Sequence, residues 1–457
     1  MSNEPKSKKK IIKNVAAAIV GNALEWYDFL IFAFMTPFIA HLFFPVQEGN
    51  PDQVNLTGIL YTTAIFGVGF FMRPIGGLVL GWYADQKGRK AALVLITAMM
   101  ALALALICFA PTYEKAGILA PLMILVARLV QGFSAGGVYG TATSILIEMA
   151  PKGKKSFYGS WQMTGQMLGL MFGALAGILT SYAFTEEQIN DWAWRIPFFL
   201  GLVIIPLVLY IRKHLDETDA FLEIQAQEQQ QLEAHVQAHQ PLAEAQQESH
   251  LDKIKAVAQY WRELLKGVGI IAALTVTIYI TFTYLVTYTT QILHIELRSA
   301  FVVQMLSAVI VVICTPLFGL LADRYKRRTV LLSGMLLFLV LNLPLYYWLT
   351  QAPSAWRLMA VQVVASVCAS MIFSVSSTVT AVLFPTKVRT FALSIFYNFA
   401  VLTIGGFAQF IVTWLIQATG SSMAPAYYVS FGLLLGAIAA YFLGPQAERD
   451  DYDEHTA

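Results

Sequence analysis

Long apolar runs separated by short polar connections extend along almost the whole chain. Many of these runs exceed the roughly 18 residues at which an apolar stretch can cross a membrane as a helix. Barrel strands alternate in polarity and are about 10 residues long, so the pattern predicts an all-α polytopic membrane protein. We count twelve spans, at residues 15–41, 56–82, 91–110, 117–149, 157–182, 194–212, 267–290, 299–321, 329–350, 356–383, 389–417 and 424–443.

Two loop sequences recur in the same order in each half of the chain. GWYADQKGRK, from Gly81 to Lys90, follows the second run, and GLLADRYKRR, from Gly319 to Arg328, follows the eighth. PKGKK after the fourth run is matched by PTKVR after the tenth. This repetition indicates duplication. It predicts twelve transmembrane helices in two parallel six-helix halves, a transporter plan in which the substrate binds near the midplane between the halves.

The predicted domain boundaries follow from the polar stretches. They are an N-terminal tail at 1–14, a first half at 15–213, a linker rich in Gln, Glu and Ala at 214–265, a second half at 266–444 and a C-terminal tail at 445–457. Lys and Arg concentrate in the N-terminal tail and in the loops on one side of the predicted membrane. Because such loops remain inside the cell, we predict a bacterial inner-membrane protein with both termini in the cytoplasm.

Composition narrows the possible functions. Hydrophobic residues make up 57% of the chain and charged residues only 13%, about half the charged share of a soluble domain. The net charge of +2 gives no reason to expect a nucleic-acid partner. All three cysteines lie within apolar runs, so we interpret them as buried hydrophobic residues and expect no metal site or cofactor.

Charged residues inside the predicted spans are informative, because each costs about 2.5–3.5 kcal/mol near the middle of the bilayer. They cluster in the first half, with Glu25 and Asp28 in span 1, Arg73 in span 2 and Arg128 in span 4. Glu25 and Asp28 share a helical face, and repulsion between two such carboxylates favours protonation of one of them. Either these acids carry protons and an arginine binds an anion, or the four residues form ion pairs that only hold helices together.

The second half offers neutral polar side chains at four-residue spacing. Such stripes either line a hydrophilic cavity or bind neighbouring helices, and we favour the cavity. The predicted substrate-binding residues are Arg73, Gln162, Gln166, Tyr279, Thr283, Gln362 and Asn398. The predicted proton-coupling residues are Glu25, Asp28 and Arg128. Span 5 also carries a four-spaced glycine series, Gly165, Gly169, Gly173 and Gly177, which predicts close helix packing.

Several segments resemble known transporter families. The loop GWYADQKGRK is similar to the signature of the major facilitator superfamily. Four segments resemble its metabolite:proton symporter family, namely GNALEWYDF from Gly21, MRPIG from Met72, RLVQGFSAG from Arg128 and WRIPF from Trp194. Three others most resemble bacterial citrate and tricarballylate carriers, namely FIAHLFFP from Phe38, GKKSFYGSWQ from Gly153 and LDETDAF from Leu215.

The resemblance implies a proton-coupled secondary transporter that imports a small carboxylate by alternating access, with a tricarboxylate such as citrate favoured. A zwitterionic osmolyte of the proline or betaine type, a dicarboxylate and a citrate-based siderophore remain alternatives. It further implies gates formed by Asp85 with Arg89 and by Asp323 with Arg327. The expected partners are a small organic anion, protons and the lipid bilayer. We expect a monomer without enzymatic activity.

Overall fold

The computed structural model describes the backbone of residues 8–45, 56–87, 89–136, 139, 143, 146–147, 149–213 and 259–448. All regular secondary structure in these residues is helical. We number the helices α1 to α12 after the spans that they begin. They are α1 Lys8–Phe34, α2 Leu56–Lys87, α3 Arg89–Cys108, α4 Leu119–Ser134, α5 Lys155–Ala183, α6 Ile196–Lys213, α7 Trp261–Val276, α8 Leu297–Arg324, α9 Arg327–Gln351, α10 Ala355–Val382, α11 Thr386–Ala400 and α12 Ala424–Tyr441.

Helix length and apolarity agree with the predicted spans. Among the described residues, eight helices are long and apolar enough to cross a membrane, and the bent pair Ile19–Phe34 and Thr36–Phe43 gives a ninth if it is one span. Three shorter apolar helices, Val94–Cys108, Leu119–Ser134 and Ala193–Val203, lie in the third, fourth and sixth predicted spans. The all-α polytopic prediction is confirmed.

The first span is broken, which the apolar pattern did not predict. Helix α1 ends at Phe34, and a second helix, Thr36–Phe43, continues at an angle of 54°. Pro37 follows this break. Because proline has no N–H and its ring clashes with the carbonyl group four residues earlier, it favours a kink or break at this position.

Two other spans contain a π-helical segment. Helix α7 passes through Thr277–Thr283 before the short helix Leu285–Gln291. Helix α11 passes through Val401–Gly406 before Ala408–Thr419. A π turn is rare inside an α-helix and occurs frequently at functional sites.

Glutamine side chains from neighbouring helices support the π segment of α7. The Nε2 atom of Gln362 donates to the carbonyl of Thr281 at 3.2 Å. The Nε2 atom of Gln409 donates to the carbonyl of Tyr279 at 3.4 Å. These bonds add side-chain donors to the carbonyl groups of an irregular backbone in an apolar interior.

The two halves meet chiefly along three helix pairs, α5 with α8, α5 with α10 and α2 with the α11 span. If the halves arose by duplication, α5 corresponds to α11 and α2 to α8, so the first and the last of these pairs are equivalent. At the first, the Asp323 carboxylate accepts hydrogen bonds from the N–H groups of Ser156 and Phe157 at 2.8 and 2.9 Å. At the last, Gly67 packs so closely against Phe407 that a methyl group added to this glycine would lie 2.6 Å from the Phe407 ring.

The glycine series on α5 packs as predicted. A methyl group on Gly169 would lie 2.5 Å from the Ala23 carbonyl oxygen and 2.8 Å from the Tyr27 nitrogen, both in α1. A methyl group on Gly165 would lie 2.9 Å from the Asn22 amide nitrogen. The absence of side chains at these positions therefore lets α5 lie directly against the part of α1 that carries Glu25 and Asp28.

The predicted tails and linker fall largely outside the described residues. Residues 1–7, 214–258 and 449–457 are not among those described, and α1 already begins at Lys8, within the stretch assigned to the N-terminal tail. The boundaries of the linker and of both tails therefore remain predictions.

We predict that Gly169→Ala destabilises the protein by about 1–3 kcal/mol, because the added methyl group overpacks the α1–α5 contact. Gly21→Ala is the matched control, since a methyl group there meets nothing within 4 Å. Thermal unfolding of the purified protein, followed by tryptophan fluorescence, measures the difference. Equal melting temperatures for the two variants would contradict this account of the glycine series.

The orientation in the membrane gives a second prediction. In a background lacking the three native cysteines, single cysteines placed at 184–192 should react with an impermeant maleimide on intact cells. Cysteines placed at 225–245 should react only after permeabilisation, because the positive-inside rule places this linker in the cytoplasm. The reverse pattern would refute the predicted orientation.

Candidate substrate and proton site

A cavity lies between the two halves, beside the middle of α1. Five of the predicted site residues line it, namely Glu25, Asp28, Arg73, Gln162 and Asn398. The complete lining comprises Asn22, Glu25, Trp26, Asp28, Phe29, Arg73, Met100, Gln131, Ala135, Gly136, Tyr139, Gln162, Tyr397 and Asn398. The structure therefore brings both predicted acids and one predicted arginine into a single cavity.

Asp28 is the most enclosed acid of the cavity. It is 4% exposed, and neither carboxylate oxygen accepts a hydrogen bond from a described residue. Burying an ionised carboxylate without a partner is costly. The closed cavity therefore suits Asp28 only when the carboxyl group bears a proton or when a bound solute brings a positive charge to it.

Gln131 connects Asp28 to the buried arginine of α4. Its Oε1 atom accepts a hydrogen bond from Nη1 of Arg128. Its Nε2 atom donates to the backbone carbonyl of Asp28 at 3.3 Å. One neutral side chain thus joins α4 to α1 and places Arg128 behind the cavity wall.

Arg128 itself does not line the cavity. It is fully buried, and its guanidinium carbon lies 4.3, 4.6 and 4.9 Å from the ring centroids of Phe29, Phe32 and Phe66. Its Nε and Nη2 atoms have no acceptor among the described residues. Contacts with aromatic faces stabilise a desolvated cation, so Arg128 is held by rings and Gln131.

Arg73 faces the cavity. Its guanidinium carbon lies 4.5 Å from the Phe70 ring centroid and 4.6 Å from that of Phe29. In the described part of the chain it forms no ion pair, and its Nε atom is buried without an acceptor. The alternative in which Arg73 pairs with Glu25 or Asp28 only to hold helices together therefore finds no support in this conformation.

Tyr279 covers the cavity from the side of α7. Its ring stacks on Trp26, with centroids 6.3 Å apart and planes inclined by 23°, and meets the Phe70 ring at 5.1 Å. Its buried hydroxyl has no hydrogen-bond partner among the described residues. Tyr279 lies outside the lining, but it contacts two rings that surround Arg73.

The structure does not bring the remaining predicted binding residues into the lining. The Thr283 hydroxyl donates to the carbonyl of Ile278 at 3.0 Å within its own helix, and the Gln362 amide nitrogen supports the π segment. Gln166 is fully buried behind the wall, and neither end of its amide has a hydrogen-bond partner among the described residues. Binding roles for these three residues remain predictions.

Residues of both halves contact each other in the lining of the cavity. The rings of Tyr139 and Tyr397 stack, with centroids 3.6 Å apart and planes inclined by 3°. The Nδ2 atom of Asn398 donates to the Gly136 carbonyl at 3.0 Å. Asn398 therefore binds the opposite half in this conformation.

Asp323 and Arg327 occupy the predicted inner gate. Besides capping α5 through Asp323, the loop brings Nε of Arg327 to within 2.9 Å of the Ser156 hydroxyl. Arg327 and Asp323 lie 4.0 Å apart. The side chains of Asp85 and Arg89 lie outside the described part of the structure, so the gating prediction for the first loop remains a prediction.

Sequence reasoning missed four polar residues of the cavity, namely Asn22, Gln131, Tyr139 and Tyr397. Gln131 lies three residues after Arg128 and Asn22 lies three residues before Glu25, so helical spacing places each beside a residue already singled out. Tyr397 directly precedes Asn398. A polar residue three positions from a charged residue inside a span was therefore the sequence signal that could have predicted Gln131 and Asn22.

Comparison with known proteins agrees with this architecture. The profile of the family described as "Sugar (and other) transporter" matches residues 13–450. A citrate-proton symporter of Salmonella typhi is 34% identical over 423 residues, which cover 93% of this chain and 92% of the relative. A proline/betaine transporter of Escherichia coli (strain K12) is 32% identical over 441 residues, which cover 96% and 85%.

Solved structures show the same fold. The xylose transporter XylE from E. coli, in a partially occluded inward-open conformation, superposes with a TM-score of 0.69 at 17% identity, covering 94% of this chain and 98% of XylE. This likeness confirms the two-half arrangement of twelve helices. The chain therefore belongs to the sugar (and other) transporter family and is a multi-pass membrane transporter of the major facilitator superfamily, not an enzyme.

Proposed function

We propose that this transporter imports a small carboxylate together with protons by alternating access, and that the substrate is a tricarboxylate such as citrate. The proposal rests on the shared cavity between the two halves. There the Arg73 guanidinium lies in the same lining as the Asp28 carboxyl group, whose oxygens accept no hydrogen bond from the described residues. Similarity to citrate-proton symporters over most of the chain supports this choice of substrate.

Arg73 is the group that binds the substrate. A carboxylate that leaves water for a closed cavity needs a fixed positive partner, because its desolvation is otherwise too costly. The planar guanidinium presents two parallel N–H donors that match the two oxygens of a carboxylate. Aromatic rings on its other faces hold the group in place while leaving it directed into the cavity.

Asp28 couples substrate entry to proton entry. An ionised Asp28 and a substrate anion in one closed, poorly hydrated cavity repel each other strongly, because the effective dielectric constant there is low. Protonation of Asp28 removes that repulsion and allows the cavity to close over the anion. Release of the proton on the cytoplasmic side restores the repulsion and expels the substrate.

A zwitterionic osmolyte is the second candidate, and one observation favours it. The cavity contains two acids, Glu25 and Asp28, but only one arginine among its described lining residues. A zwitterion could place its carboxylate on Arg73 and its cationic group near Asp28 and the Trp26 ring. Similarity to proline/betaine transporters supports this alternative.

Uptake into proteoliposomes tests the proposal. Labelled citrate, a dicarboxylate, proline and betaine are offered in turn, with an inwardly directed proton gradient and without one. We expect gradient-dependent accumulation of citrate. Accumulation of betaine or proline alone would establish the second candidate, and failure of a proton gradient to drive any of the four would overturn the proposal.

The acid that carries the proton gives a prediction. Asp28→Asn should abolish accumulation of substrate against a gradient while sparing exchange of labelled for unlabelled substrate, because an amide cannot release a proton. Glu25→Gln tests the neighbouring acid in the same way. Asp191→Asn, at an exposed acid on the short helix Glu186–Asp191, is the control. If both cavity variants still concentrate substrate at the wild-type level, the coupling site lies elsewhere.

Arg73→Lys should weaken substrate binding even though the charge is retained. A charge-assisted hydrogen bond contributes about 1.5–3 kcal/mol, so the loss of the second parallel bond predicts an affinity about 10- to 100-fold lower. Arg357→Lys is the control, because Arg357 also contacts tryptophan rings but lies outside the cavity. Arg128→Lys should impair coupling more than affinity, since Arg128 lies behind the wall.

Calorimetric titration of folded variants measures the affinities. An unchanged affinity in both Arg73→Lys and Arg73→Ala would assign Arg73 to structure alone. Substrate recognition would then depend on the neutral side chains of the cavity.

A further inference from the structure

We propose that the proton leaves Asp28 by a route of its own, through a second cavity inside the first half, while the substrate leaves through the central cavity between the halves. This lateral cavity lies between Gly21, Leu24 and Asp28 of α1, Thr97 of α3, and Gly201 and Ile205 of α6. The inference rests on the proposed function, because it takes Asp28 as the acid that carries the proton.

The order of events in the proposed mechanism requires such a route. Asp28 has to release its proton while the anion is still bound, because the restored repulsion is what expels the anion. At that moment the anion occupies the central cavity beside Arg73, in the space through which it will itself leave. A path that does not cross the central cavity lets the proton depart first.

The two cavities meet at the acids. Glu25, Asp28 and Met100 line both of them, and no other described residue does so. Asp28 is 4% exposed, and neither of its carboxylate oxygens accepts a hydrogen bond from a described residue. Because a methionine side chain cannot carry a proton, a proton that passes from one cavity to the other passes through the acids.

The lateral cavity belongs to the first half alone. All its described lining residues come from α1, α3 and α6, and α6 packs against both of the other helices. The central cavity, by contrast, is also lined by residues of α11 from the second half. A solute bound between the halves therefore does not occupy the lateral cavity.

The lateral cavity extends from Asp28 towards the side predicted to be cytoplasmic. Helices α1 and α3 begin on that side and α6 ends there. Thr97 and Ile205 each lie about two turns from the helix end on this side. On the other side of the cavity, the Tyr27 hydroxyl donates to the Pro197 carbonyl at 2.7 Å and holds α1 against α6. Coupling requires that the last two turns of the path admit water only in the inward-facing state.

The lining can hold the water that such a path needs. A buried water usually has two to four polar partners, and the two carboxyl groups and the Thr97 hydroxyl supply them. Space is available at Gly21, where an added methyl group would meet nothing within 4 Å. Asp28 gives its proton to water in the lateral cavity and becomes a carboxylate, and the water passes the proton on towards the cytoplasm.

Single cysteines test whether the lateral cavity holds water. They are placed in a background without the three native cysteines. A thiol reacts as the thiolate, which forms in water but not in lipid. In inside-out vesicles, Leu24→Cys should react with a small charged thiosulfonate, and adding Gly21→Leu should abolish the reaction. Val203→Cys is the control and should not react, because Val203 is 72% exposed on α6 but outside the lining.

Transport by matched variants tests whether the proton uses this path. Gly21→Leu fills the cavity with an apolar side chain, whereas Gly21→Ser offers a hydroxyl at the same place. Gly21→Leu should slow net proton-driven uptake about two- to tenfold, the change in rate that loss of one hydrogen bond along the path produces. Substrate affinity and exchange of labelled for unlabelled substrate should stay at the wild-type level, because exchange needs no release of the proton. Gly21→Ser should behave like the wild type, and Thr97→Val should repeat the effect from α3.

Three results would overturn the inference. They are an unreactive Leu24→Cys, a wild-type ratio of net uptake to exchange in both Gly21→Leu and Thr97→Val, or an equal loss of uptake and exchange in both variants. Labelling needs neither substrate nor a proton gradient. Failure of the proposed function would instead appear in the wild-type protein, as the absence of proton-driven uptake, so the two failures are distinguishable.

Discussion

The cost of keeping ionisable groups in an apolar interior constrains this structure more than any other interaction. Arg73, Arg128, Glu25 and Asp28 lie within membrane helices, where each charge is expensive. The chain surrounds each guanidinium with aromatic rings and joins Arg128 to α1 through Gln131. It leaves the Asp28 carboxyl group without such support. A buried acid whose carboxylate oxygens accept no hydrogen bond from the described residues is suited to gain and lose a proton.

This arrangement also explains why packing is tight around the site. The glycines of α5 bring this helix against α1. Gly69 of α2 lies close to Arg128, so that a methyl group added to this glycine would be 3.2 Å from the Arg128 carbonyl oxygen. Such contacts exclude water from the wall behind the cavity. With less water near the charges, their mutual interactions are stronger. The glycine-rich interfaces therefore account for the close packing around the site.

Contacts between the two halves lie on either side of the cavity in this conformation. On one side Tyr279 covers Trp26, and on the other Tyr139 meets Tyr397. Further from the membrane centre, Asp323 holds the first turn of α5 through two backbone N–H groups. Each of these contacts joins the first half to the second. Transport requires that the contacts on the two sides break in alternation.

The sequence predicted the fold well, because the length of each apolar run shows directly whether it can cross a membrane as a helix. It also singled out Glu25, Asp28 and Arg73, which line the cavity, because a charged residue inside an apolar run is energetically costly. Pro37 is a local sequence signal for the break at Met35, but no local sequence signal marks the two π segments. The π segment of α7 receives hydrogen bonds from Gln362 and Gln409, and these contacts exist only in the folded protein.

The same limit applies to the residues that lie outside the lining. Thr283 and Gln362 have the spacing of a cavity stripe, yet the Thr283 hydroxyl and the Gln362 amide nitrogen donate to backbone carbonyls in this conformation. Spacing shows which residues share a face, but it does not show whether a hydroxyl or amide is already used within the helix bundle. Only the tertiary structure supplies that information.

Direct measurement of proton movement tests whether protons enter together with the substrate and whether Asp28 carries them. Citrate is added to lightly buffered right-side-out vesicles without any imposed gradient, and the external pH is recorded. The account predicts that the medium becomes more alkaline as substrate and protons enter together. It also predicts no pH change with Asp28→Asn, even while labelled substrate still equilibrates. Entry of substrate into wild-type vesicles without alkalinisation, or an unchanged proton-to-substrate ratio in Asp28→Asn, would contradict it.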